Sequence, residues 1–185
     1  MIRKVAVYLG SSTGNSPKWA EMTHSLGKAL AEKGKEVIYG GANVGLMKVL
    51  ADAVLEYRGQ LTGVFPTGFG GKREVMVHNI DVERHDCTEM IYVRDFAERK
   101  NTMEELSDCA VVLPGGFGSM DELFCFAVGN EIARHDKISY VLNYDGYYDF
   151  LREQVGKMKQ EGFLPKECDS IVFVDTVAEL LEIIS

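Results

Sequence analysis

Short apolar runs alternate with longer stretches of helical pattern along most of the chain, and each early run ends in small residues. Lys4–Leu9 (KVAVYL) is followed by Gly10-Ser11-Ser12, and Glu36–Tyr39 (EVIY) by Gly40-Gly41. The run CAVVLP at 109–114 leads into Gly115-Gly116-Phe117-Gly118-Ser119. Between them, Pro17–Lys33 puts Met22, Leu26, Ala29 and Leu30 on one helical face, and Leu46–Tyr57 does the same with Leu46, Val49, Leu50, Ala53 and Val54. Gln60–Phe65, ISYVLN (138–143) and IVFV (171–174) read as further strands. Helices are expected over Asp95–Ser107, from Ser119, from about Tyr147 to Glu161, and from about Val177. Near-continuous apolar strands alternating with helices predict a parallel sheet covered on both faces. With right-handed crossovers this is an α/β, doubly wound, Rossmann-like layer.

At 185 residues the chain fits one such domain, and no linker, internal repeat or low-complexity tract divides it. Residues 66–87 stand apart, with weak periodicity and many charges, and a loop of that length is usually functional. Formal net charge is −8, from 28 acids against 20 bases. An acidic chain offers no field for a nucleic-acid backbone, so a DNA or RNA partner is not expected. No apolar run approaches the length of a membrane span, and Met1-Ile2-Arg3-Lys4 leads directly into a strand-like segment, which predicts a soluble, cytoplasmic protein without anchor or signal peptide. Cys87, Cys109, Cys125 and Cys168 form no C-x-x-C pair, and Cys109 and Cys125 sit in surroundings that read as core. His24, His78, His85 and His135 are scattered. No metal site is expected.

In an open parallel sheet, ligands bind beyond the carboxyl ends of the strands. Three small-residue turns fall there, and Pro114–Ser119 is the most specific. Glycines let backbone approach an anion, and the helix that follows presents unpaired N–H groups, so the expected ligand is a phosphate. The turn is not a Walker loop, for G-K-[ST] is absent, and no G-x-G-x-x-G follows the first strand. Each feature also has a plain structural reading. Gly40-Gly41 fits a tight turn as well as a ligand contact. Ser119-Met120-Asp121-Glu122 fits the capping box S-x-x-E, in which Glu122 satisfies helical N–H groups. Arg99 and Lys100 fit solvated positions on an acidic helix whose Phe96, Met103 and Leu106 turn inward. Alternatively, Arg99 clamps a phosphate or carboxylate with its planar fork of donors.

F-A-E-R-K (96–100) followed by L-P-G-G-F-G-S-M-D-E (113–122) resembles the Lonely Guy family of nucleoside 5′-monophosphate phosphoribohydrolases, often mislabelled lysine decarboxylases. The hallmark of that family is R-K followed by P-G-G-x-G-T-x-x-E. The turn YLGSS, the segments YGGANVGLM (39–47), GVFPTGF, KRE (72–74), HDK (135–137), NYDGYY (143–148) and EGF (161–163) also resemble family blocks. The resemblance implies hydrolysis of the N-glycosidic bond of a purine nucleotide, N6-modified in cytokinin precursors, to free base and ribose 5-phosphate. It implies Glu122 and Arg99 as the catalytic pair. Gly40, Gly41, Gly115, Gly116, Phe117, Gly118, Ser119, Asp121, Lys100 and Glu74 would hold the substrate and its 5′-phosphate. It implies no metal or organic cofactor, a small-molecule nucleotide as partner, and a homodimer. Pyridoxal phosphate chemistry is disfavoured, because nothing marks a Schiff-base lysine. Three departures bear on substrate. Ser119 stands for the family threonine, Phe96-Ala97 for the usual Met-His, and Gly129-Asn130-Glu131 for the W-x-Q of plant members. The last two point away from cytokinin preference and towards a plain purine nucleotide such as AMP. A carrier or sensor using the same turn without chemistry, and phosphoribosyl transfer to another acceptor, are the rival readings.

Overall fold

The computed structural model describes residues 2–67 and 84–185 together with the backbone of 75–77 and 80–82. The elements run β1 (Lys4–Tyr8), α1 (Pro17–Glu32), β2 (Glu36–Tyr39), α2 (Gly45–Glu56), β3 (Gln60–Pro66), β4 (Val75–Val77), β5 (Ile80–Val82), β6 (Glu89–Val93), α3 (Phe96–Leu106) and β7 (Cys109–Val112). They continue through α4 (Phe117–Glu131), β8 (Ser139–Leu142), α5 (Asp149–Gln160), β9 (Ile171–Val174) and α6 (Val177–Ile183). Seven strands pair in parallel in the order β6-β3-β2-β1-β7-β8-β9. This is the doubly wound, Rossmann-like sheet that the alternation of runs predicts. Within the weakly patterned segment, β4 and β5 pair with each other as an antiparallel hairpin.

Period-two alternation decides which helices cover which face. Val5 and Val7 of β1 pack with Leu26 and Leu30 of α1 and Leu50 and Val54 of α2. Ala6 and Tyr8, pointing the other way, pack with Met103 of α3 and with Leu123 and Phe126 of α4. Each fully buried leucine of these layers contributes roughly 1.5–3 kcal/mol relative to an exposed one. β1 and β7 lie side by side in mid-sheet, and from them the strand order departs in opposite directions. The turns after these two strands therefore splay apart and open a crevice at the switch point. The floor of that crevice is pinned where the Gly10 N–H donates to the Pro114 carbonyl at 3.3 Å.

Four local expectations need correction. Helix α4 begins at Phe117, with Gly116 as N-cap, rather than at Ser119. Cys109 is buried, but Cys125 is half-buried on the flank of α4 rather than in the core. Phe96, at the first turn of α3, is exposed rather than inward. The fourth concerns β6, which no apolar run announced. Among the described residues it pairs with β3 alone, at the sheet edge, and its burial pattern is correspondingly weak.

Candidate active site

A cavity of about 300 Å³ fills the crevice. One wall is the start of α4, with Gly116, Gly118 and Ser119, and the opposite wall holds Ala42, Met47 and Phe65. Arg99 and Glu122 line it as well.

Glu122 sits on the second turn of α4 and faces Arg99 on α3. Arg99 Nη1 lies 3.1 Å from Glu122 Oε1, and the two side chains are only 12% and 8% exposed. The capping-box reading of Ser119 and Glu122 is thereby overturned, because Gly116 caps the helix and Glu122 turns inward to an ion pair. The solvated reading of Arg99 fails for the same reason. Burial pushes the Glu122 carboxyl above the usual carboxylate range, and the Arg99 guanidinium pulls it only partly back. Tyr8 is buried nearby, its phenol held well above its ordinary value by burial and then by the charge of Glu122.

Two glycines make this arrangement possible. A Cβ on Gly40 would stand 1.7 Å from Arg99 Nη2, so the guanidinium occupies the space a side chain would take. A Cβ on Gly115 would stand 2.0 Å from Ser119 Oγ. Ser119 is itself buried, and its Oγ has no hydrogen-bond partner among the described residues. Arg99 Nε is in the same condition. Buried polar atoms left unpaired are uncommon and costly, and two of them border one cavity. The Phe117, Gly118 and Ser119 N–H groups lie in the first turn of α4, where no intrahelical acceptor exists. Gly116 offers no side chain to cap them. That end of the helix carries the positive pole of its dipole.

Of the residues expected at the site, Gly40, Arg99, Gly116, Gly118, Ser119 and Glu122 meet in the cavity lining. Gly41 lies behind it with φ +73°, its backbone making the turn. Phe117 is 96% exposed and points to solvent. Lys100 reaches away from the cavity to Asp121, with Nζ 2.8 and 2.7 Å from the two carboxylate oxygens and 3.2 Å from Cys125 Sγ. Glu74 lies outside the described residues. Sequence reasoning passed over Ala42, Met47, Phe65, Pro66 and Phe96 as lining residues. Phe65 and Pro66 stand at the carboxyl end of β3, so the strand-end rule applied to all strands would have found them. At Gly129 a Cβ would stand 2.6 Å from His135 Nε2, so a tryptophan there would have to displace that imidazole.

Fold and geometry define a doubly wound α/β protein with a cavity at its switch point, walled by a helix N-terminus and a buried acid–base pair. Within that class, the chain belongs to the Lonely Guy family. The family model described as "possible lysine decarboxylase" matches residues 47–184. The chain is 33% identical over 181 residues to a cytokinin riboside 5′-monophosphate phosphoribohydrolase of Arabidopsis thaliana, covering 97% of this chain and 76% of the relative. It is 33% identical over 172 residues to one of Rhodococcoides fascians, covering 93% and 83%. Among solved structures, the molybdenum cofactor binding protein of Rippkaea orientalis superposes with a TM-score of 0.70 at 19% identity, over 100% of this chain and 96% of that one, a likeness of fold.

Proposed function

We propose that this protein hydrolyses the N-glycosidic bond of purine ribonucleoside 5′-monophosphates, releasing the free base and ribose 5-phosphate. The observation that carries the reading is the buried Arg99–Glu122 pair, placed across one cavity from an uncapped helix N-terminus. The relatives' names point to the same reaction class. In this reading the 5′-phosphate rests on the α4 N–H groups and Ser119 Oγ, which supply otherwise unpaired donors. The ribose then lies between that wall and Glu122, and the base extends towards the apolar wall of Met47, Phe65 and Phe96.

Departure of the base builds positive charge on the ribose ring, as in other glycoside cleavages. The Glu122 carboxylate stabilises that charge and accepts a proton from the attacking water. The water oxygen bonds to the anomeric carbon as the carbon–nitrogen bond breaks, and the departing base takes up a proton from solvent, matched by the proton that Glu122 later releases. Arg99 favours the ionised form of Glu122 against its burial, and orients it. The apolar wall suits a purine base, and AMP and N6-alkylated nucleotides fall within the same class. Gly129 borders a separate groove with Phe124, Val128 and Ile132 and does not shape this wall.

Assembly as a homodimer forms part of the proposal. Phe124 and Val128 of α4 and Ile132 at its C-cap recur every fourth residue and are 37%, 48% and 65% exposed, an apolar stripe suited to a self-complementary contact.

The test is release of base and ribose 5-phosphate from AMP, isopentenyladenosine monophosphate, GMP, CMP and the matching nucleosides. Release from purine monophosphates alone, falling by ~10²–10⁴ in Glu122→Gln, is the expected result. Stoichiometric AMP binding by folded protein without base release would replace the reading with that of a carrier.

A further inference from the structure

Two tyrosines outside the cavity grip the turn that the phosphate reading depends on. Tyr148 Oη donates to the Leu113 carbonyl at 2.7 Å, and Tyr147 Oη donates to the Gly115 carbonyl at 2.7 Å. Both come from the segment between β8 and α5, and that segment is itself fixed. The Asn143 side-chain carbonyl accepts from the Tyr148 N–H at 2.6 Å, while its amide donates to Asp149 Oδ1 at 2.8 Å and Asp175 Oδ1 at 3.2 Å. The Tyr147 ring is steered edge-on by Trp19 of α1 at 5.4 Å and by Tyr148 at 4.7 Å between centroids.

The peptide unit joining Gly115 to Gly116 has a glycine on each side, so little steric resistance opposes its rotation. It is also planar and trans, which places the Gly115 carbonyl and the Gly116 N–H on opposite sides of the chain. Tyr147 and Gly115 line an adjoining cleft, with Trp19, and not the main cavity, while Gly116 borders both. Drawing the Gly115 carbonyl towards Tyr147 therefore directs the Gly116 N–H the other way.

We propose that Tyr147 is a positioning residue for the substrate's 5′-phosphate: its hydroxyl locks the Gly115–Gly116 peptide in the orientation that offers an N–H to the anion. The inference rests on the proposed phosphate site and adds a residue that does not itself touch the ligand. Tyr147→Phe keeps the ring against Trp19 and Tyr148 and removes only the hydroxyl.

The experiment pairs AMP hydrolysis kinetics with calorimetric titration of ribose 5-phosphate into the full-length wild type and Tyr147→Phe. Loss of one fixed donor is expected to raise KM for AMP and weaken ribose 5-phosphate binding by the same factor, roughly fivefold, with kcat within about twofold and the melting temperature unchanged. A merely structural role would lower the melting temperature and kcat together, and that outcome overturns the proposal, as does an unchanged affinity for ribose 5-phosphate. If the wild type binds ribose 5-phosphate without hydrolysing AMP, the functional reading fails, while the ratio of the two affinities still decides the role of Tyr147. If the wild type binds no ribose 5-phosphate, both are overturned.

Discussion

Glu122 occupies an environment that opposes its charge, with burial favouring the protonated carboxyl and Arg99, aided by Lys100, favouring the carboxylate. If the carboxylate is the working form, activity falls as pH drops through a pKa lying above the ordinary value of about 4.3 for glutamate, and holds on the alkaline side. The acid limb of kcat/KM against pH should accordingly sit higher than for an exposed glutamate. A limb at the ordinary value would mean that another group controls the rate. At this scale the sequence was legible through resemblance more than through pattern. S-x-x-E looks the same whether its glutamate bonds to helical N–H groups or turns inward, and the difference lies in Gly116 taking the cap. Likewise, nothing within α3 shows that Arg99 is occupied, because its partner is on α4 and the space for its guanidinium is provided by Gly40 of the β2 turn.

The elements of the sheet interior were readable because strands buried on both faces are continuous apolar runs, as with CAVV in β7. IVFV in β9, at the edge opposite β6, read equally well because all four residues are apolar. Edge strand β6 was not, since with one neighbour it carries Glu89 and Tyr92 exposed. The join between β1 and β7 is reinforced at its start by Asp108, whose Oδ2 accepts from the Arg3 N–H at 2.6 Å and the Lys4 N–H at 2.9 Å. Burial is the largest single influence and raises its carboxyl, but these two bonds together with the charge of Lys137 outweigh it and hold the group below the usual aspartate value. A depressed pKa stabilises the fold above the unfolded value of about 3.9, and that contribution is lost as pH falls through the folded value. Asp108→Asn is expected to cost about 1 kcal/mol in urea denaturation at pH 7, with the gap closing as pH is lowered past 4. A constant gap across that range would show that the charge plays no part.

For the molecule as a whole, strand–helix alternation gave the layer architecture, whereas the strand order could not be read from it. Whether the strand after α3 joins β1 or β6 depends on long-range packing that no local pattern encodes. The order matters, because it puts Gly10 beside Pro114 and so creates the crevice. The outward stripe of Phe124, Val128 and Ile132 carries a prediction at this scale. Val128→Glu should convert a dimer into a monomer by light scattering, leaving the circular dichroism spectrum unchanged. A wild type that is already monomeric would remove the stripe from the assembly.

The crevice floor joins two segments about a hundred residues apart, and Glu122 lies beyond the second. A chain emerging from the ribosome thus has no crevice until β7, past the midpoint of the sequence, has slotted in beside β1. Under the proposed activity, turnover per milligram would then gauge how much of a preparation has joined these two segments.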